Sequence, residues 1–454
     1  MNQTSKASLL MGIVILLSVV MAACTSNNKN AATPAPSNPA ATASGTSSAS
    51  TISGDLEIQY FVGGYGDAWW KEVIQGFKEK YPDVNVIEQA GPNINEQMKT
   101  RWISDSPPDI VYIDGAGSSE AQMVSDGQLM DLTEWVQSIK LGDGTPLMDN
   151  FIVPPSQYEG NKIYSLPLLF DTRGTWYDKR WFEQEGFQVP EDFAGWLESM
   201  KAIKEKANIH PLTTTGVYPS VFMKGVLYPA IGSAGGNELL SDAIKGVEGA
   251  WSSDEMLSVV TKIQQIQEAG LVDPGFAAIT HTEAQMNFLL HKNAFVPVGF
   301  WLPNEMRKDI PADFEFGIIP TPMNDAGQPM VVIPDLRPLA IAEKAKNPEA
   351  AKAFFQFVFQ KEYAVKFSEL TGAMMNMKGI DLDSNPNVPA YLKNANALIN
   401  DPAKVTLNFL PHPMNASLEK PIGDAMVSLL LGEIDAAEFT KKAEAAAKSF
   451  RDSQ

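Results

Sequence analysis

Residues 160–182 read GNKIYSLPLLFDTRGTWYDKRWF. The stretch opens on a Gly-Asn turn and becomes an apolar run from Ile163 to Phe170, broken by Pro167. It then sets Asp171 and Arg173 between that run and the aromatic pair Trp176 and Tyr177. An apolar run of this kind predicts a buried strand, and a proline inside it demotes the strand to an edge or marks a break. Two opposite charges directly after it are costly in a core unless they are paired or face water. The pattern therefore predicts a strand that leaves one packed unit, crosses open space and enters another. A surface strand followed by a loop is the alternative reading of the same residues.

Towards the N-terminus, Leu56, Ile58 and Tyr60 alternate and lead into Gly63-Gly64-Tyr65-Gly66, which predicts a first strand and its loop. Asp67 is the expected N-cap of the next helix, where Trp70, Val73, Ile74, Phe77 and Tyr81 form one apolar stripe. Trp69 lies off that stripe beside the carboxyl end of the strand, the edge where open α/β sheets collect ligands. Trp70 is thus expected in the core and Trp69 in a cleft. Val84 to Ile87 predicts a second strand, and PPDIVYID a third, ending at Asp114-Gly115-Ala116-Gly117. Strands alternating with helices in this way predict a parallel sheet. Neither glycine cluster contains GxGxxG or a P-loop lysine, which argues against a nucleotide site.

Beyond residue 182 the same α/β grammar resumes. Helices are expected from about Asp192, from Ser253 with Asp254 and Glu255 in its first turn, and from Asn347 with Pro348 at the first helical position. Ala294 to Val298 and Phe314 to Pro320 predict strands, and TGAMMNMKG near residue 372 is a third irregular link. Three such crossings, near residues 170, 320 and 372, imply two α/β lobes with interlaced chain segments. The expected division is 55–170 with 320–372 as one lobe and 171–319 with 373–454 as the other.

The N-terminus reads as an address. Lys6, the apolar run from Leu9 to Val20 and the small residues Ala22 and Ala23 precede Cys24, the only cysteine. This order resembles a bacterial lipoprotein signal over 1–23, with Cys24 lipidated; an ordinary secretory signal is the alternative. Residues 24–54, rich in Ala, Ser, Thr, Asn and Pro, bury too little to order themselves and are expected to form a tether. No other segment reaches the length of about eighteen apolar residues that a spanning helix needs. A net charge of −19 makes nucleic acid an unsuitable partner, because such affinity comes mostly from Lys and Arg neutralising phosphates. The histidines, His210, His281, His291 and His412, show no metal-ligand spacing, and the His281 segment reads HTEAQ rather than HExxH.

Taken in order, the lipoprotein signal, the polar tether, FKEKYPDVNVIE, PPDIVYID, GQLMDLTEWV, YSLPLLFDTRGTWYDKRWFEQEGF, the Gly235-Gly236 pair and NAFVPVGFW resemble one group. It is the family 1 extracellular solute-binding proteins of bacterial carbohydrate ABC importers, the maltose-binding-protein-like group, and the resemblance covers about residues 55–450. Within the group, LPLLFDTRGTWYDKR and the C-terminal pattern are similar to the N-acetylglucosamine and chitobiose binders. The resemblance implies a periplasmic-binding-protein-like fold of two lobes, joined by three hinge strands, with a sugar bound between them. It implies that Asp171 meets sugar hydroxyls, that Trp301 stacks on a ring, and that Tyr228 and Asp114 line the cleft. Tyr65 and Trp69 are implied by the first-strand loop, while Arg173 follows from its place beside Asp171. Arg337 and Met374 are added at positions where the family varies. These residue types suit a sugar, whose apolar ring faces stack on aromatics while its hydroxyls bond to carboxylates and arginines.

The resemblance further implies a lipid-anchored, monomeric binding protein outside the cytoplasm. It would close its lobes on a sugar or oligosaccharide and present it to a membrane permease, with no cofactor and no catalysis. Two alternatives stay open at this stage. Arg173 and Arg337 in a cleft would suit an acidic or other non-sugar solute. With 54 acidic residues, a pair of facing carboxylates in a surface glycoside hydrolase is also compatible with the sequence.

Overall fold

Three parallel strands open the folded body: β1 (Gly54–Phe61), flanked by β2 (Val84–Gly91) and β3 (Ile110–Tyr112). The structure is a computed structural model and describes residues 52–410 and 413–453. The expected signal 1–23, the Cys24 lipid site, all but the end of the tether 24–54, and His412 lie outside the described residues. Between β1 and β2, helix Ala68–Lys80 buries Val73, Ile74 and Phe77 as its stripe predicts, but it buries Trp69 as well as Trp70. Asp67 does not cap this helix with its side chain. Its backbone, at φ −120° and ψ 2°, is not in the extended conformation typical of a cap, and its carboxylate instead pairs with Lys71 at 2.8 Å. Asn347 caps its helix as expected, and the helix starts at Asp192 and Ser253 prove to be caps too, each accepting a backbone N–H of the first turn.

The stretch quoted first becomes β4 (Ser165–Asp178), followed in the chain by β5 (Val296–Gly299), β6 (Phe316–Ile319), β7 (Met330–Val332) and β8 (Pro334–Ile341). Two short strands complete the set, β9 (Met374–Met375) and β10 (Val405–Leu407). The main sheet runs β2-β1-β3-β8-β4-β5, with β6 and β9 also paired to β4. Over Ser165–Thr172, β4 pairs antiparallel with β8; from Arg173 onwards it pairs instead with β5 and β6.

Pro167 therefore does not put the strand on an edge. It lies opposite Pro338 at a shift in register, where neither residue has an N–H to offer and a bulge absorbs the mismatch. Nor does the strand end at its charges. Asp171 and Arg173 sit inside it, where its pairing passes from β8 to β5.

Buried apolar side chains form two large clusters. One gathers Ile58, Phe77, Leu339 and Phe354 from the first strands and their helices. The other gathers Trp196, Trp251, Val260, Leu418 and Phe439. Residues 373–405, expected in the second lobe, bury Met374, Met375 and Leu392 in the first cluster. The cause is pairing with distant chain: β9 pairs with Leu169 and Phe170 of β4, and Tyr391 packs edge-on to Trp176 with ring centres 5.1 Å apart. From Leu410 onwards the C-terminal chain packs against the second cluster, with Met414 its first buried member.

Candidate functional site

Along a strand, residues two apart share a face. Asp171 and Arg173 thus leave β4 on one side, as do Asp335 and Arg337 on β8. The register sets Asp171 directly opposite Asp335, and like charges facing across a sheet repel. Cations compensate. Arg173 Nη1 donates to Asp335 Oδ2 at 2.7 Å, and Arg337 Nη2 donates to the same oxygen at 3.0 Å. Arg337 Nε reaches the other way, to Asp114 Oδ1 in the loop after β3, at 2.7 Å. Lys224 adds a third cation, 3.7 Å from Asp335.

Asp171 is differently placed. It is only 1% exposed, and its Oδ1 accepts the Tyr65 hydroxyl at 2.7 Å and the Phe300 N–H at 3.4 Å. Above it lies Trp301, whose ring centre is 5.2 Å from the Arg173 guanidinium and 6.4 Å from the Tyr65 ring, edge to face. The β1 loop approaches this indole so closely that a Cβ at Gly64 would sit 2.9 Å from the Cβ of Trp301. Glycine is what permits the approach.

The two facing carboxylates titrate in opposite directions. Burial pushes Asp171 up to about 6, with Arg173 and Arg337 opposing and Asp335 adding to the rise. Burial also acts to raise Asp335, but Arg337, Lys224 and Arg173 together outweigh it and hold the group well below the usual carboxylate range. An acid whose folded pKa is raised contributes stability that is fully present below its unfolded pKa and lost as pH rises through the folded value. Asp171 should therefore destabilise the protein progressively between about pH 4 and pH 6, by roughly 3 kcal/mol at 1.36 kcal/mol per pKa unit. Asp171→Asn keeps an acceptor for Tyr65 but cannot ionise. Relative to the parent it is expected to gain that stability as pH rises from 4 to 7. Urea unfolding of both proteins across this range checks it, and parallel pH profiles would exclude it.

Two adjoining cavities, of about 270 and 710 Å³, share Asp114, Arg173 and Arg337 as common walls. The smaller brings together Tyr65, Asp114, Asp171, Arg173, Trp301 and Arg337, six of the residues expected from sequence. Tyr228 lines the larger one, beside Lys224, Asp335 and Glu419. Its hydroxyl is buried with no hydrogen-bond partner among the described residues.

The backbone around Tyr228 explains how it gets there. Pro229 has no N–H for the carbonyl of Gly225 four residues back, and the preceding turn widens into a π-turn over Met223–Leu227. The freed Gly225 carbonyl accepts Thr321 Oγ1 at 2.6 Å. Lys224 and Tyr228 are carried on this widened turn.

Two expected residues are placed otherwise. Trp69 contributes wall atoms to the smaller cavity but is 1% exposed, and its Nε1 donates to the Tyr363 carbonyl at 3.0 Å. Its ring packs edge-on to Trp70 and Phe367, so no free face remains for stacking. Met374 lines neither cavity; it is 4% exposed and pairs with Phe170 through β9. Conversely, Asp335, Lys224, His281 and Glu305 line the cavities without having been expected as ligand-binding residues. The alternation Asp335-Leu336-Arg337 was the available signal for the first of these.

The described histidines have protein partners. His210 meets the Gly270 carbonyl at 3.0 Å, His291 meets Asp178 at 2.8 Å, and His281 meets Glu305 at 3.3 Å. Among the described residues no cluster of His, Cys, Asp or Glu could hold a metal ion, and no helix is long and apolar enough to cross a membrane.

A mixed sheet crossed by one long strand, two cores and a charged aromatic cleft define a solute-binding architecture. The bacterial extracellular solute-binding protein family matches residues 63–365, and the chain belongs to that family. A diacetylchitobiose binding protein, NgcE, of Streptomyces coelicolor is 24% identical over 335 residues, covering 71% of this chain and 70% of its own. A multiple sugar-binding protein of Streptococcus mutans is 25% identical over 403 residues, covering 85% and 86%. Among solved structures, the GacH receptor of Streptomyces glaucescens superposes with a TM-score of 0.66 at 21% identity, covering 88% of this chain and 98% of its own. A chitin oligosaccharide binding protein superposes with a TM-score of 0.67 at 16% identity, covering 87% and 98%. These superpositions establish the two-lobe solute-binding fold.

Proposed function

We propose that this protein captures a neutral sugar or oligosaccharide in the cleft by lobe closure and delivers it to an ABC importer. The observation that carries the reading is the smaller cavity. There the half-buried Trp301 offers a stacking surface with Asp171, Tyr65, Asp114 and Arg337 around it. Such an arrangement suits a ligand with an apolar face and a polar rim. The two relatives are named for diacetylchitobiose and for multiple sugars, which supports the same class of solute. An acidic solute is less well supported, because Arg173 and Arg337 are already engaged by Asp335 and Asp114. A carboxylate ligand would have to compete with these largely buried ion pairs.

The protein acts in this reading as a carrier and not as a catalyst. Closure follows if the sugar makes more contacts in the closed than in the open state. Lipidation at Cys24 and the tether 24–54 would hold the monomer at the outer face of the membrane, where the closed lobes meet the permease. Thermal unfolding with a panel of mono- and oligosaccharides tests the reading. A sugar at 100 times its dissociation constant stabilises by about 2.7 kcal/mol, an increase of about 3 °C for a body of this size. No shift with any sugar, together with a shift from a dicarboxylate or polyamine, would overturn it.

A further inference from the structure

We propose that Glu305 is a ligand-contacting carboxylate of the smaller cavity, accepting hydrogen bonds from the rim hydroxyls of a sugar ring stacked on Trp301. The assignment rests on the sugar-binding reading above and extends it to a residue outside the hinge strands.

Trp301 and Glu305 are four residues apart on the short helical segment after β5, and the Glu305 N–H donates to the Trp301 carbonyl at 2.8 Å. At that spacing two side chains leave the same helical face. Both line the smaller cavity, so one turn of helix supplies a stacking plate and an acceptor beside its edge.

A second helix, His281–Leu289, supports the carboxylate, and its His281 also lines the smaller cavity. His281 and Gln285 are again four apart. His281 Nε2 lies 3.3 Å from Glu305 Oε1, and Gln285 Nε2 donates to Glu305 Oε2 at 3.0 Å. Gln285 is fully buried, whereas the Glu305 side chain keeps 22% of its surface exposed. An ionised carboxylate has about four lone-pair sites. One protein contact on each oxygen leaves acceptor capacity on both. The segment is also fixed against the opposite wall, since Asn304 Nδ2 donates to the Gly64 carbonyl at 2.6 Å. The carboxylate is thereby held in register with the β1 loop and Tyr65.

Isothermal titration of the parent, Glu305→Gln and Glu305→Asp with diacetylchitobiose, raffinose, cellobiose and maltose tests the assignment. For each sugar the parent binds, Glu305→Gln is expected to bind at least about tenfold more weakly, as loss of a charge-assisted bond entails. Its ligand-free melting temperature should stay unchanged. Glu305→Asp, which keeps the charge but withdraws it from the ring edge, should lose affinity likewise. His281→Ala should weaken binding, and His281→Gln, still able to donate to Glu305, should restore it. Parent binding with Glu305→Gln within twofold overturns the assignment and leaves the sugar reading standing. A parent that binds none of the four overturns the sugar reading for these probes and this assignment with it. Lowered ligand-free stability at unchanged affinity makes the residue structural and also overturns it.

Discussion

Asp335→Ala is expected to lower the unfolding free energy by about 3–5 kcal/mol, the usual cost of removing one partner from a buried ionic network. Its carboxylate is the common acceptor of Arg173 and Arg337 and lies near Lys224. Without it, Arg173, whose side chain is 9% exposed, loses its carboxylate partner, and among the described residues Arg337 keeps its ion pair with Asp114. Because the Asp335 pKa is held well below its ordinary value, its contribution is present above the unfolded pKa and lost as pH falls through the folded one. The deficit of Asp335→Ala should therefore be full at pH 7 and shrink in acid, the opposite of the trend expected from Asp171. Urea unfolding midpoints at pH 7 and pH 3, with unchanged slopes, measure it. A loss below about 1 kcal/mol at pH 7 would place the pair in the range of screened surface bridges.

Trp301→Ala should weaken sugar binding by roughly 30- to 100-fold, or about 2–3 kcal/mol, as truncation of a central aromatic anchor typically does. Its indole has three neighbours that keep it in place: the Arg173 guanidinium, the Tyr65 ring and the backbone at Gly64. The ring is nonetheless half-buried and lies outside the fully buried clusters, so the fold should survive the change. Trp301→Phe keeps a smaller apolar plate and should recover part of the affinity. Calorimetric titration beside a thermal melt separates the two effects. A loss of less than threefold in Trp301→Ala would mean that the ring is not the stacking surface.

Much of the architecture was legible because it depends on local chemistry. The alternation at Leu56, Ile58 and Tyr60, the capping residues Ser253 and Asn347, and the charges set into the 160–182 strand all act over a few residues. Helix Ala68–Lys80 shows where such reasoning stops. A single stripe predicts one buried face, yet the helix is covered on two. Trp70 stacks on Tyr60 of the sheet, while Trp69 meets Phe367 of a helix nearly 300 residues away in the chain. Met374 fails for the same reason, since pairing with Phe170 is a long-range event. Pro167 read as an edge because its neighbour across the sheet, Pro338, could not be known.

The sequence by itself determined the family, the order of the first six strands and, counting Trp69, seven of the residues that line the smaller cavity. Each rests on side-chain periodicity, turn chemistry or an ordered set of motifs that survives without knowledge of neighbours. Only the tertiary structure decided how those residues are charged and held. Setting β4 beside β8 put Asp171 across from Asp335, and that one register forced two arginines and a lysine around them. Bringing helix His281–Leu289 to the segment after Trp301 placed His281 and Gln285 against Glu305. Long-range strand and helix pairing is selected by the packing of the whole core, so the electrostatics of this cleft could not be read from any local stretch of the chain.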